Sequence, residues 1–303
     1  MRKLPSRVVT IMRFPFESAE AYQTWREAKL ANYPTYLEEF FVPIQNPYQV
    51  TEQECYRLQN LCCKTNMAIY QFTSDVEQKS ALLAFGKQLG LQHIDRTLSC
   101  EDDDGVSNIQ VAETGYAQEY IPYTDRALHW HTDGYYNSLD EQVHAILLHC
   151  VRPAAKGGFN QLVDHEIAYI RLRDENPEFI TALMGETVMT IPENVQNGEV
   201  LRPERTGPVF STHLNRLHMR YTERQRHILW EQSSLVQDAI ACLTDFLHAS
   251  SPYILSHTLE PGQGLLCNNI LHNRSGFTEG NTEQQRLLYR IRYHDRVGCN
   301  KAT

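Results

Sequence analysis

The chain has 303 residues, 42% of them hydrophobic and 21% charged, with a formal net charge of −9. This is the make-up of an ordinary globular protein, long enough for one large domain or two small ones. The acidic balance argues against a nucleic-acid backbone as the main partner, because such binders meet phosphates with a basic face, and no apolar run approaches the roughly 20 residues of a membrane-spanning helix.

The first residues, Met1-Arg2-Lys3-Leu4-Pro5, are charged but lead into no apolar core or small-residue cleavage site, so no signal peptide is expected. The eight cysteines (Cys55, Cys62, Cys63, Cys100, Cys150, Cys242, Cys267 and Cys299) include no Cys-x-x-Cys pair. That speaks against a zinc or iron–sulfur cage, and a chain of this length needs no disulfide framework. Reduced thiols in a cytoplasmic protein are the expectation, with Cys62 and Cys63 as packing residues.

In chain order, Arg7 to Phe14 reads as a short strand and Ser18 to Leu30 as a helix with Ser18 at its N-cap. Pro34, Pro43 and Pro47 predict irregular structure. Thr51-x-x-Glu54 is a capping box that opens a helix running to about Lys64. Residues 67–72 read as a strand, and Val76 to Leu89 as an amphipathic helix stopped by Gly90. Residues 96–125 are loop-rich and carry the acidic run Glu101 to Asp104. The run reads as a solvated turn, because the alternating ligands, turn glycine and closing Glu of a calcium loop are missing. From Leu128 the pattern is mainly β, with strands expected over 128–133, 142–149, 160–164, 187–191, 207–211, 217–221, 253–259, 263–267 and 286–293. Helices are expected from His165 to Asp174, from Pro177 to Met184 and, longest, from Leu229 to Ala249. Helices before and within a set of short strands point to an α+β protein with a sandwich or jelly-roll core.

Within the strand 128–133, His131 and Asp133 stand two apart and share a face. Two histidines and one carboxylate, with positions left open, suit a non-haem Fe(II) oxygenase. A third ligand is therefore needed. His272 stands at the end of the apolar segment that follows the Pro261-Gly262 turn, 139 residues after Asp133, so only the fold can bring it to the pair. Further on, Arg286, Leu288, Arg290 and Arg292 share one face of a regular strand, opposite Leu287 and Ile291. A guanidinium fork held there matches the two oxygens of a carboxylate. Gly157 and Gly158 allow a tight turn or close backbone approach, and Asn160 can offer a hydrogen bond to a bound acid.

The His131-x-Asp133 box, the Gly157-Gly158-Phe159-Asn160-x-Leu162-x-Asp164 turn, the Pro261-Gly262…Asn269-x-x-His272-x-Arg274 segment and the Arg286…Arg290 strand together resemble the taurine dioxygenase family of Fe(II)- and 2-oxoglutarate-dependent oxygenases, over about residues 120–295. The resemblance implies an α+β fold: a double-stranded β-helix (jelly-roll) core with flanking helices, clavaminate synthase-like. In such a single oxygenase domain, a helix-rich part (about 1–95) packs on the core (about 96–303). It implies Fe(II) on His131, Asp133 and His272, O₂, and 2-oxoglutarate as co-substrate with its distal carboxylate on Arg286. Asn160 falls where the family often has Thr. Arg290 matches a second basic position, which faces the co-substrate or an acidic substrate group. The implied reaction releases succinate and CO₂ and oxidises a C–H bond of a small molecule, hydroxylation being the leading form. Halogenating relatives lack the carboxylate that Asp133 supplies, so halogenation is disfavoured.

Two further readings stay open: an iron oxidase or desaturase of the same fold that uses no 2-oxoglutarate, and a non-catalytic jelly-roll binding protein. Arg286 argues against the first and the complete ligand set against the second. His129 shares the face of His131 and reads as a hydrogen-bonded neighbour, with a rival metal ligand or a substrate contact as the alternatives, while Trp130 points into the core. Tyr135, Tyr136 and Asn137 follow the box and are candidate pocket walls. His144 and His149 read as structural, Arg292 as an outer salt-bridge residue, and His213, His218, His227 and His257 belong to no constellation. The pocket roof is expected from 65–75, 96–126 and 192–206. Arg290 favours a small-molecule substrate with an acidic group. Neither nucleic acid nor membrane is an expected partner; relatives in the resembled family commonly form dimers or tetramers, which leaves both a monomer and a homo-oligomer open.

Overall fold

A computed structural model describes residues 18–73, 78–96, 104–113, 118, 120–196, 198–224, 228–280 and 285–298. The strand expected over 7–14, the first two residues of the helix expected from Val76, the acidic residues 101–103 and His227 lie outside the described residues; the helix itself starts at Lys79.

The ten strands of the two main sheets are β1 (Phe41–Ile44), β2 (Met67–Phe72), β3 (Ser107–Ile109), β4 (Leu128–His131), β5 (Ala145–Arg152), β6 (Asn160–Val163), β7 (Leu255–His257), β8 (Gln263–Cys267), β9 (Leu271–Arg274) and β10 (Leu287–Tyr293). The larger sheet runs β1-β2-β8-β5-β10-β3 and the smaller β7-β6-β9-β4. All their pairings are antiparallel except β1 with β2.

Alternation along the strands decides the layers. Met67, Ile69, Ile146, Leu265, Cys267 and Leu288 point from the larger sheet toward Leu162 and Leu255 of the smaller one and Ile270 just before β9. Their neighbours Ala68, Tyr70, Leu147, Leu266, Ile291 and Tyr293 point outward, beneath α2 (Glu52–Thr65) and α3 (Lys79–Gln88). On the far side, α4 (His165–Glu175), α5 (Pro177–Leu183) and α6 (Ser234–His248) cover Trp130, Val163 and Leu271 of the smaller sheet. Two facing sheets between helical layers make the α+β jelly roll that was expected. The N-terminal helix α1 (Ala19–Leu30) is capped by Ser18, whose Oγ accepts the Ala21 N–H at 3.1 Å. Lys29 fastens it to α4 through buried ion pairs with Asp164 (2.6 Å) and Glu166 (2.5 Å).

Several boundaries differ from expectation for identifiable reasons. Residues 41–44 and 67–72, expected in a part packed on the core, supply two strands of the larger sheet itself. β1 contains Pro43, which reads as a breaker; at a sheet edge the missing N–H costs little. The last long helix starts at Ser234 rather than Leu229, because Leu229–Trp230 pairs with Met189–Ile191 and Ser233 provides the N-cap. The expected strand 207–211 divides into Arg205–Gly207 and Phe210–His213, and a hairpin of Asn194–Gln196 with Glu199–Arg202 occupies an expected loop. His272 does not end the 263–267 strand; it lies on β9, in the opposite sheet. Cys55, Cys62, Cys150, Cys242 and Cys267 are free thiols, whereas Cys63 is disulfide-bonded, a departure from the all-thiol expectation.

Two predictions follow from this packing. Leu266 is fully buried between α2, α3 and the larger sheet. Leu266→Ala leaves a cavity and lowers stability by about 2–5 kcal/mol, read as a lower urea midpoint at unchanged m-value. The second concerns His144, just before β5, whose ring stacks on His213 (4.2 Å) and meets His218 edge-on (4.6 Å). Burial first, then His213, Arg296 and His294, push His144 down to about 3 against the opposing pull of Asp295. The unfolded chain protonates this ring near pH 6.5. Acid in the window between those values therefore favours the unfolded state, and stability falls as pH drops through it. His144→Phe makes that decline shallower in denaturant titrations at stepped pH; an unaltered slope would show that the cluster does not set it.

Candidate active site

β4 and β9 are neighbours in the smaller sheet, and their register sets His131 directly opposite His272. Their ring centroids lie 4.2 Å apart. Each ring is held the same way: His131 Nδ1 donates to the His129 carbonyl (2.8 Å) and His272 Nδ1 to that of Ile270 (2.9 Å). A carbonyl only accepts, so the proton sits on Nδ1 and the Nε2 lone pair of each ring is free to ligate. Asp133 comes just after β4, where the chain turns at Gly134 (φ +66). Asn269 clamps it there. The Asn269 Oδ1 accepts the Asp133 N–H at 2.8 Å, and its Nδ2 donates to the carbonyls of Asp133 (2.9 Å) and Val143 (2.6 Å). Asp133 Oδ1 then lies 3.4 Å from His131 Nε2 and 3.8 Å from His272 Nε2. The donor atoms of the three residues all lie within 4.8 Å of one another.

The electrostatics match this geometry. Burial opposes ionisation of Asp133, but Arg290 above all, then the two imidazoles, outweigh it and hold the carboxyl well below its ordinary range. Arg290 Nη1 stands 3.2 Å from Asp133 Oδ2. The contact is ionic without hydrogen-bond geometry: Asp133 Oδ2 and Arg290 Nε are both buried without hydrogen-bond partners. Burial, reinforced by His131, pushes His272 down to about 4. An ionised carboxylate beside a neutral imidazole is the protonation state a divalent metal requires. Two nitrogens and one oxygen converging from one side fit Fe(II) and leave the remaining coordination positions open.

A second, smaller cavity is lined by Cys150, Gly158, Asn160, Leu259, Arg286 and Leu288. Arg286 is 3% exposed, and its Nη1 is buried without a hydrogen-bond partner. Burial lowers its guanidinium to about 10, against the pull of Cys150 and Glu279. A buried cation with an unused donor fits an incoming carboxylate. Asn160 shares this cavity, with its Nδ2 donating to the Asn273 carbonyl at 2.9 Å. Gly157 turns the backbone at φ +79, where a side chain would strike the Gly276 carbonyl.

Arg290 lines a different and larger space, a cleft of about 580 Å³ counting open solvent at its mouth. His129, His131, Asp133, Tyr135 and Tyr136 line it as well. His129 sits at the rim, 61% exposed, with its Nδ1 3.8 Å from Glu223. Asn137 is not a wall residue; its Nδ2 donates to the Glu141 carbonyl at 2.9 Å and closes the turn. Arg292 is not an outer residue either. It is 3% exposed, donates to the Tyr136 hydroxyl at 2.9 Å and pairs with Asp95 at 3.2 Å. Of the expected roof segments, 96–126 contributes Tyr120 to Tyr123, while Thr222 and Arg224 form a wall that sequence reasoning missed. Arg224 belongs to a local basic run in an acidic chain, but no spacing rule distinguishes it from surface charge. Asn269 was part of a recognised segment without a role of its own.

Such a centre at the open end of a jelly roll defines a non-haem iron oxygenase of the double-stranded β-helix class. Comparison with known proteins sharpens this. The family described as taurine catabolism dioxygenase TauD, TfdA family matches residues 70–292, reaching back into β2. A uridine-5′-phosphate dioxygenase of an Amycolatopsis species is 29% identical over 170 residues, covering 54% of this chain and 60% of the relative. One from a Streptomyces species is 27% identical over 216 residues, covering 69% of this chain and 77% of the relative. The first match thus spans less than two thirds of that relative's length. Among solved structures, asparagine oxygenase with Fe(II), 3-hydroxyasparagine and succinate superposes with a TM-score of 0.59 at 15% identity, over 91% of this chain and 84% of that one. The non-haem iron oxygenase OrfP with Fe and α-ketoglutaric acid gives 0.60 at 15% identity, over 84% and 82%. At that identity these likenesses establish the fold. The chain belongs to the TauD/TfdA family of Fe(II)- and 2-oxoglutarate-dependent dioxygenases.

The Asn269 clamp generates a test. Asn269→Ala frees the Asp133 backbone and weakens Fe(II) or Co(II) binding by about 10- to 100-fold, the usual loss for a residue that orients a ligand. Metal titration by calorimetry checks it. Unchanged affinity would mean that Asp133 is positioned without the amide.

Proposed function

We propose that this dioxygenase hydroxylates a C–H bond of an anionic small molecule of the nucleoside 5′-monophosphate class. His131, Asp133 and His272 would hold Fe(II), and Arg286 the distal carboxylate of 2-oxoglutarate. When bound, the iron and co-substrate supply the oxidising chemistry, which consumes O₂ and releases succinate and CO₂. The chain's own residues position and shield. Asn269 and the Nδ1 hydrogen bonds fix the ligands, Arg290 keeps Asp133 ionised, and the walls of the cleft exclude water.

The observation that carries the co-substrate reading is the unused, buried Arg286 Nη1 beside Asn160. For the substrate, the cleft sets Arg224 near the hydroxyl end of Tyr135 and offers Tyr120, Tyr123, Tyr135 and Tyr136 as aromatic surface. Cationic groups suit a phosphate and tyrosine rings suit a base. The two curated relatives, named for uridine 5′-phosphate, support the same class. No helix among the described residues is long and apolar enough to cross a membrane. For a cytoplasmic setting speak the free thiols of Cys55, Cys62, Cys150, Cys242 and Cys267, and against it the bonded Cys63.

Anaerobic Fe(II) protein given 2-oxoglutarate develops the weak visible band of the chelate, and uridine 5′-monophosphate then stimulates O₂-dependent succinate formation. Iron binding without that band would sink the co-substrate reading. Stimulation by free amino acids and not by nucleotides would replace the substrate class. Arg286→Ala raises the KM for 2-oxoglutarate about 10- to 100-fold, the worth of a lost charged hydrogen bond. Arg224→Ala raises the nucleotide KM by a similar factor and leaves that for 2-oxoglutarate unchanged.

A further inference from the structure

One buried guanidinium is used by neither the metal centre nor the co-substrate cavity. Arg274 stands on β9, two residues beyond His272, and is 4% exposed. It takes no carboxylate within ion-pair distance among the described residues. Instead its Nη1 donates to the Pro122 carbonyl (3.1 Å), and its Nη2 to those of Ile121 (3.3 Å), Thr124 (2.7 Å) and Arg126 (2.6 Å). These carbonyls belong to a segment whose regular structure is a single turn, Ile121–Tyr123. The same segment gives Tyr120, Ile121, Pro122 and Tyr123 to the wall of the cleft. Besides Arg274, the Phe277 N–H donating to the Asp125 carbonyl (3.0 Å) ties it to this part of the chain.

Phe277 is also the link to the co-substrate cavity. The guanidinium carbon of Arg274 and that of Arg286 each lie 4.9 Å from the centre of its ring. Two guanidiniums thus share one aromatic ring, and each is attracted to its π-face. Two like charges held this near one ring and away from solvent also repel one another. An anion on Arg286 removes that repulsion without touching Arg274 or the wall.

We propose that Arg274 is a positioning residue that couples the co-substrate site to the substrate wall. A carboxylate on Arg286 strengthens the hold of Arg274 on residues 120–126, so that the wall firms after the co-substrate has bound. This rests on Arg286 being the 2-oxoglutarate anchor. The balance is electrostatic and no covalent step is involved.

The test follows backbone amide exchange in the peptide covering 120–126, using the anaerobic Fe(II)-loaded protein with and without 2-oxoglutarate, while the visible chelate band reports co-substrate binding independently. In the wild type, 2-oxoglutarate slows exchange of this peptide by a factor of about 5 to 150, the usual span of a coupling between sites. In Arg274→Met the band still forms once 2-oxoglutarate is raised to saturation, at a shifted half-saturating concentration because coupling is reciprocal, but the slowing is lost. Arg274→Lys keeps the charge with fewer donors and shows partial slowing; it also serves if the methionine variant does not fold. Equal slowing in wild type and variants would overturn the proposal. So would a wild type that forms the band with no change in the wall, and in that case the co-substrate reading stands. Absence of the band removes both.

Discussion

The antiparallel pairing of β4 with β9 is the constraint on which the site depends. It sets two histidines from distant parts of the chain side by side, with their Nε2 atoms facing one way. A slip of one residue would turn one ring into the core, where Trp130 and Leu271 now sit, because successive side chains alternate faces. The apolar neighbours of the ligands therefore guard the register: burying Trp130 and Leu271 against the helical layer turns His131 and His272 to the other face of the sheet.

An acidic chain concentrates buried cations around this centre. Arg220, Arg274, Arg286 and Arg292 are each 4% exposed or less. Two of them are satisfied mainly by backbone carbonyls. Arg220 donates to Tyr135, Met189 and Arg205 and so braces the turn that follows Asp133, as Arg274 braces the opposite wall. Backbone carbonyls satisfy a guanidinium without adding a negative charge near the site. Arg286 differs in leaving its terminal Nη1 unused at the edge of a cavity, whereas both terminal nitrogens of Arg274 are spent on carbonyls.

Much of the fold was legible in the chain. The capping box of α2, the helix from His165 and the apolar strands at 67–72 and 263–267 were all readable, because caps and periodicity are local signals. Less legible were the short pieces: Phe41–Ile44 around a proline, the hairpin at 194–202, and Leu229–Trp230 taken for helix. These form because a neighbouring edge receives them, and propensity alone does not report the neighbour. The place of β2 within the larger sheet escaped for the same reason. β2 joins the sheet through β8, nearly two hundred residues away in sequence.

The residue types alone determined the chemistry of the centre. Two imidazoles, a carboxylate and a spaced pair of arginines suit a metal and an anion, since ligand softness and charge are properties of side chains. Tertiary structure decided how those groups are shared out. It paired Arg290 with Asp133 rather than with the Arg286 cavity, turned Arg292 inward to the Tyr136 hydroxyl, withdrew Asn137 from the cleft and brought Arg224 into it. Each outcome depends on register and burial between segments far apart in the chain, and nothing in a single segment carries that information.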